Sequence, residues 1–206
     1  MIIAIDGPAA AGKGTLARRL ASALNLPYLD TGLLYRAVGR LALDTGADPA
    51  DPEAAARAAQ NLKRTDLGRD DLRDSIASKA ASQVASIPAV RAALLEFQRN
   101  FGVETGAVLD GRDIGTIIFP NADIKLFVTA DLNARAERRH AELAAKGDPI
   151  TLSAVHADLA ARDEADRNRQ AAPLIPAPDA TLFDTTNMDA DTAFEKALEI
   201  IKEKSK

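Results

Sequence analysis

Apolar and polar residues change their spacing repeatedly along this chain. Residues 2–5 form an unbroken apolar run that stops at Asp6-Gly7. A short run with no polar face predicts a strand buried on both sides. From Lys13 to Leu24 the spacing is helical, with Leu16, Leu20 and Leu24 on one face. A short extended piece in "NLPYLDTG" and a helix over 33–43 follow. In "TGADPADPEAAARAAQNL" a turn leads into a helix, with Asp51 as N-cap and Pro52 in the first turn. Residues 62–73 are polar and weakly patterned, and residues 74–100 are helical with a break at Ile87-Pro88. Further on, an apolar run ends on Asp110 and a glycine-rich turn follows it. Then come a strand in "IKLFVTA", a helix over 132–146, a polar helix over 151–167, a strand in "ATLFDTTN" and a closing helix over 190–204.

Strands alternating with helices predict an α/β fold: a mostly parallel five-stranded sheet with helices on both faces. The length of 206 residues suits one domain. Two stretches break the alternation. Residues 46–100 are mostly helical between two strands, and residues 145–172 are polar and charged. Both read as excursions from a core made of about 1–45, 101–145 and 173–206, and such excursions are where moving flaps are found.

Composition narrows the function. No apolar run nears the roughly 20 residues of a membrane-spanning helix, and no secretory signal is expected. The absence of cysteine excludes disulfides and thiol catalysis and fits a cytoplasmic protein. A net charge of −4 argues against a nucleic-acid binder. Only two histidines, His140 and His156, argue against a histidine-rich metal site. The arginines nevertheless cluster in "LNARAERRHAE" and "AARDEADRNRQAAP". That fits either solvated helix faces or a small anionic ligand.

The chemistry starts at Gly7-Pro8-Ala9-Ala10-Ala11-Gly12-Lys13, a G-x-x-x-x-G-K phosphate loop with the strand before it and helix after it that the motif requires. Backbone N–H groups and the positive end of the helix would face the phosphates, and Lys13 would add a point charge. Gly14 stands where Ser or Thr usually touches Mg²⁺; the hydroxyl arrives one residue later, at Thr15. No guanine-reading Asn-Lys-x-Asp occurs, which weakens a GTPase reading.

Together, "DGPAAAGKGT", "LDTGLLYR", "ASQVASIPAVRAALL", "LDGRDIGTIIFP" and "ARDEADRNRQAAPL" resemble the bacterial cytidylate kinases through nearly the whole chain and in the same order. The resemblance implies a three-layer P-loop kinase fold with an NMP-binding insert (about 46–100) and a short lid (about 145–172). It implies ATP-dependent, Mg²⁺-assisted phosphoryl transfer to CMP or dCMP by a monomer, with no nucleic-acid or membrane partner. Gly7, Pro8, Ala9, Ala10, Ala11, Gly12, Lys13, Gly14 and Thr15 then hold ATP. Thr31, Arg36 and Arg112 hold the acceptor phosphate; Ser82, Arg91 and Asp113 read cytosine; Arg162 and Asp166 reach the ribose side. Lys13, Arg112, Arg162 and Arg169 act on the transferring phosphates, and Mg²⁺ lies near Thr15, with the Walker-B-like Asp110 ordering it through water. Asp113 suits cytosine because a carboxylate accepts from its exocyclic amine, whereas uracil offers a carbonyl.

Other readings stay open. A kinase for another monophosphate, such as UMP, uses the same loop, and a non-catalytic nucleotide switch would keep the loop alone. Arg135, Arg138 and Arg139 fit surface ion pairs with Glu137 and Glu142 as well as they fit catalysis, Arg167 fits a solvated residue or a partner of Asp163, and Asp6 fits a cap of the loop. Tyr35 fits packing. The insert departs from the family by being short, with no alternating strands in residues 62–73.

Overall fold

The computed structural model describes residues 1–102 and 105–204. Residues 103, 104, 205 and 206 of the expected core lie outside the described residues. Five strands, β1 (Ile2–Asp6), β2 (Tyr28–Asp30), β3 (Ala107–Gly111), β4 (Ile124–Thr129) and β5 (Thr181–Asp184), form one sheet in the order β2-β3-β1-β4-β5. Every pairing between them is parallel. The order reverses beside β1, and parallel sheets of this kind place ligands at the carboxyl ends of the strands at such a point. Register then puts two carboxylates side by side there. Asp110 pairs with Asp30 on one side and with Ile5, the neighbour of Asp6, on the other.

The all-apolar first strand is explained by two covered faces. Ile3 and Ile5 are fully buried against α1 (Lys13–Leu24) and α8 (Ala190–Lys204), with Val108, Leu126 and Val128 beside them. Ala4 points to the other face with Leu29 and Leu109, under α2 (Thr31–Asp44), α3 (Pro52–Gln60), α4 (Ser75–Val84) and α5 (Pro88–Gly102). Burying each isoleucine side chain contributes about 1.5–3 kcal/mol. A third, smaller core joins α6 (Leu132–Ala144) to α7 (Leu152–Asn168) and reaches the phosphate loop through Ala9.

The insert follows its sequence signals. Asp51 Oδ1 accepts from Glu53 N at 2.9 Å and Ala54 N at 3.3 Å, capping α3 with Pro52 in its first turn. Pro88 opens α5, as the break at 87–88 implied. The patternless stretch 62–73 becomes two short 3₁₀ turns, Arg64–Gly68 and Asp70–Arg73. Charge holds them: Arg69 bonds Asp44 at 2.5 Å and Asp71 at 2.7 Å, while Leu72 alone is buried. Gly39 brings α4 onto α2, because a Cβ there would lie 2.7 Å from Ala80 Cβ.

Three expectations are corrected. The glycine-rich turn after Asp110 contains a turn of π-helix, Ile114–Ile118. Asp6 does not cap the phosphate loop; its carboxylate accepts from Ile114 N at 2.8 Å and Gly115 N at 2.7 Å. Arg135 and Arg138 are not surface pairs. Arg135 is buried, bonded to Asp163 at 2.6 Å and to the backbone oxygens of Ala9 and Ala130. Arg138 Nη2 donates to Thr185 O at 2.6 Å, so both arginines tie α6 to distant loops. Arg139 does form its local pair, with Glu142 at 3.1 Å, and Arg167 lies 3.9 Å from Asp163.

Candidate active site

The phosphate loop is shaped by its backbone. Gly7 has φ 146°, and a Cβ there would sit 1.9 Å from Val128 O, so no side chain fits. Ala10 is held at φ 59° and Gly12 at φ 86°. A non-glycine residue at positive φ costs on the order of 1 kcal/mol, a strain typical of ligand-holding loops. Gly14 is different: a Cβ there would meet Tyr28 Oη at 3.6 Å and Asp110 Oδ2 at 3.7 Å, ordinary contacts. Glycine is therefore not required by space at this position.

Lys13 is buried, and its Nζ donates to Pro8 O at 2.7 Å. Burial, reinforced by the charge of Arg112, pushes its ammonium down to about 7. Asp110 moves the other way: burial and then the neighbouring Asp30 raise it, although Tyr28 Oη donates to it at 2.8 Å. Thr31 Oγ1 donates to the backbone oxygen of Asp110 at 2.8 Å, which fixes the start of α2 against β3.

Across a cleft of about 540 Å³ from the loop stands a wall of arginine. Arg36, Arg73, Arg112, Arg162 and Arg169 all line it. Arg112 Nε donates to Asp166 at 2.8 Å, and Arg162 Nη1 donates to Ser78 Oγ at 2.8 Å. Burial works against the Asp166 charge, yet Arg112 holds its carboxyl below the ordinary range. Burial, then Arg112, lowers Arg162 to about 9. Arg36 Nε, Arg162 Nε and Arg169 Nη2 are buried without a hydrogen-bond partner among the described residues. Buried cations left short of partners are expensive, and a fold keeps them where an anion is to be bound.

Thr31, Arg36, Ser82, Asp110, Arg112, Arg162, Asp166 and Arg169 are thus brought to one cleft with the residues of the phosphate loop from Ala9 to Thr15. Gly7 and Pro8 support that loop from behind. Arg91 and Asp113 do not line the cleft; they form a buried ion pair behind its wall, 3.9 Å from Arg169. Tyr35 lines the cleft, and its ring packs under the Arg91 guanidinium at 5.7 Å. Sequence reasoning missed Asp30, Arg73 and Ser78, which also line the cleft. Ser78 lies one turn ahead of Ser82 on α4, and that spacing was the available signal; Arg73 ends the 3₁₀ turn just before the helix and offered none.

A family model described as cytidylate kinase matches residues 3–203. The chain belongs to the cytidylate kinase family. The cytidylate kinase of Acidiphilium cryptum is 64% identical over 98% of this chain and 95% of its own length. That of Granulibacter bethesdensis is 58% identical over 99% and 98%, and that of Paramagnetospirillum magneticum 59% over 98% and 98%. Solved structures share the fold alone. An uncharacterized protein from Eubacterium ventriosum aligns over 98% of both chains at TM-score 0.56 and 17% identity. TT1252 from Thermus thermophilus aligns over 100% of this chain and 98% of its own at 0.51 and 23%. Family membership makes the chain an enzyme of the phosphotransferase class and agrees with the resemblance carried by the sequence motifs. Among the described residues no helix is long and apolar enough to cross a membrane, and no group of three or more carboxylates and histidines is set to hold a metal.

Proposed function

We propose that this chain transfers the γ-phosphate of ATP to CMP or dCMP, giving ADP and CDP or dCDP. One observation carries the reading: a phosphate loop and a wall of incompletely partnered arginines face each other across one cleft. ATP lies with its β and γ phosphates on Gly7 to Thr15, and Lys13 bonds their oxygens in place of Pro8 O. Thr31, Arg36 and Arg112 take the acceptor phosphate. Asp113 and Ser82 take the cytosine edge, Asp113 exchanging its bond to Arg91 for the exocyclic amine. Asp166, with Arg162, takes the ribose side.

An oxygen of the acceptor phosphate forms a bond to the γ-phosphorus as the bridging P–O bond to ADP breaks in line. The attacking oxygen is already anionic, so no general base is needed. Lys13, Arg112, Arg162 and Arg169 spread the charge that builds on the transferring oxygens, which is positioning plus electrostatic stabilisation. The insert (46–100) and the lid (145–172) close to exclude water. The donor set suits a Mg²⁺ carried by the nucleotide rather than caged by protein. Asp110 and Asp30 stand close enough to raise the Asp110 pKa, and Thr15 lines the same end of the cleft. Mg²⁺ carried with the nucleotide near Thr15, and ordered by Asp110 through water, would supply charge neutralisation. A single copy contains the whole cleft, which supports a monomer.

The test is ADP release measured across CMP, dCMP, UMP, AMP, GMP and TMP. Cytidine nucleotides should be the best acceptors; faster turnover on another base would refute the assignment. Asp113→Asn should lower the preference for CMP over UMP by roughly 10- to 100-fold, since one buried polar match is worth about 1–3 kcal/mol.

A further inference from the structure

Asp113 occupies the N-cap position of the π-helical turn Ile114–Ile118, with φ −147° and ψ 25°. An aspartate at such a position ordinarily turns its carboxylate onto the first N–H groups of its own turn. Asp113 makes no such cap. Its carboxylate faces Arg91, with Arg169 3.9 Å away. Of the amides such a cap can take, that of Gly115 is already used, and so is that of Ile114 before it. Asp6, far away in sequence at the end of β1, accepts from Ile114 N at 2.8 Å with Oδ1 and from Gly115 N at 2.7 Å with Oδ2. Asp6 is buried, and burial raises its carboxyl to about 6 in spite of those two donors. A carboxylate kept in so unfavourable a place is there for what it holds. The fit is close as well: a Cβ on Gly115 would lie 3.4 Å from Asp6 Oδ2.

We infer that Asp6 is a positioning residue for base recognition: by accepting the first two amides of the turn it keeps the Asp113 carboxylate off its own turn and facing Arg91, in the pair that the acceptor base exchanges. Asp6 immediately precedes Gly7, so one side chain links the strand that feeds the donor loop to the residue that reads the acceptor. The inference rests on the reading of Asp113 as the cytosine-amine acceptor.

Asp6→Asn tests it, because the amide keeps the shape but offers an N–H donor where an acceptor is needed. The KM for CMP should rise about tenfold and the CMP-over-UMP preference should fall, with a much smaller change in the KM for ATP, which Asp6 touches only through its charge on Lys13. Combined with Asp113→Asn, the loss of preference should be less than the product of the two single losses. A purely structural role would lower thermal stability and the yield of active protein without touching base preference. Equal rises in the KM for ATP and for CMP, or an unchanged base preference, would overturn the inference. If Asp113→Asn itself leaves base preference intact, the base-site reading fails instead; if Asp113→Asn acts and Asp6→Asn does not, the Asp6 inference alone fails. Should Asp6→Asn not fold, Asp6→Glu keeps the charge but cannot seat both oxygens, and the same split is expected of it. In the unaltered protein the Ile114 and Gly115 amides should exchange slowly with solvent; exchange at the open-chain rate would also overturn the inference.

Discussion

The two ends of the cleft are built on different principles. The donor end is backbone. It comes from one consecutive stretch, Gly7 to Thr15, and its shape is set by the contact of Gly7 with Val128 O and by the positive φ of Ala10 and Gly12. The acceptor end is side chains, drawn from α2, β3, α4, α5 and the α7 region. Part of its charge is paired inside the protein, Arg91 with Asp113 and Arg112 with Asp166, while Arg162 reaches only the hydroxyl of Ser78 and Arg36 Nε, Arg162 Nε and Arg169 Nη2 lack hydrogen-bond partners among the described residues. The donor end therefore offers geometry, while the acceptor end offers charge, part of it held in pairs that a ligand exchanges. Removing one partner of a buried ion pair is costly, so a ligand that displaces a carboxylate must itself take over the arginine.

The contrast can be broken most forcefully at Lys13, the one long side chain of the donor loop. Lys13→Ala should lower kcat by about 10²–10³-fold, the loss typical of one preorganised donor at a developing charge. CMP affinity should survive; a parallel loss of CMP binding would mean that the two ends are not independent. The next largest effect belongs to Gly39. A Cβ there meets Ala80 at 2.7 Å and its backbone carbon at 3.0 Å, so Gly39→Ala must push α4 off α2. Overpacking of this kind costs about 1–3 kcal/mol. Since α4 carries Ser78 and Ser82, steady-state kinetics should show a higher KM for CMP with the KM for ATP unmoved.

Ser78→Ala should have a milder effect. It removes one hydrogen bond to Arg162, worth about 1 kcal/mol. A few-fold change in CMP turnover is expected, with Ser78→Thr restoring it; an effect on ATP affinity instead would place Arg162 with the donor. The subtlest consequence is protonic. Lys13 has a folded value of about 7, below the ordinary lysine range, so at pH 8 most of it is neutral in the free protein. Phosphate anions favour the charged form and raise that value again. ATP binding should then take up close to one proton at pH 8 and much less at pH 6, and affinity should fall as pH rises through 7. Calorimetry in buffers of different ionisation heat measures this, with Lys13→Ala as control. Zero uptake at pH 8 would show that Lys13 is charged throughout.

Legibility in the sequence follows the same division. The helix over 13–24 and the α3 cap at Asp51 were readable because period and capping chemistry act over a few neighbouring residues. Arg135 and Arg138 were misread because helical spacing gave them glutamates as partners. Their actual bonds run to Asp163, Ala9 and Thr185, which no local rule links to them. The π-turn after Asp113 was hidden for the same reason, since its amides are satisfied by Asp6 from another strand.

By itself, then, the sequence determined the strand, loop and helix of the phosphate-loop motif and the family that carries them. Both rest on short-range geometry written in consecutive residues. Only the tertiary structure decided which arginines reach the cleft, what each is paired with, and that the Asp113 carboxylate faces Arg91 instead of capping its own turn. Those outcomes depend on which strands are neighbours and which helix faces meet, because a buried charge takes whatever partner the fold brings within about 3 Å.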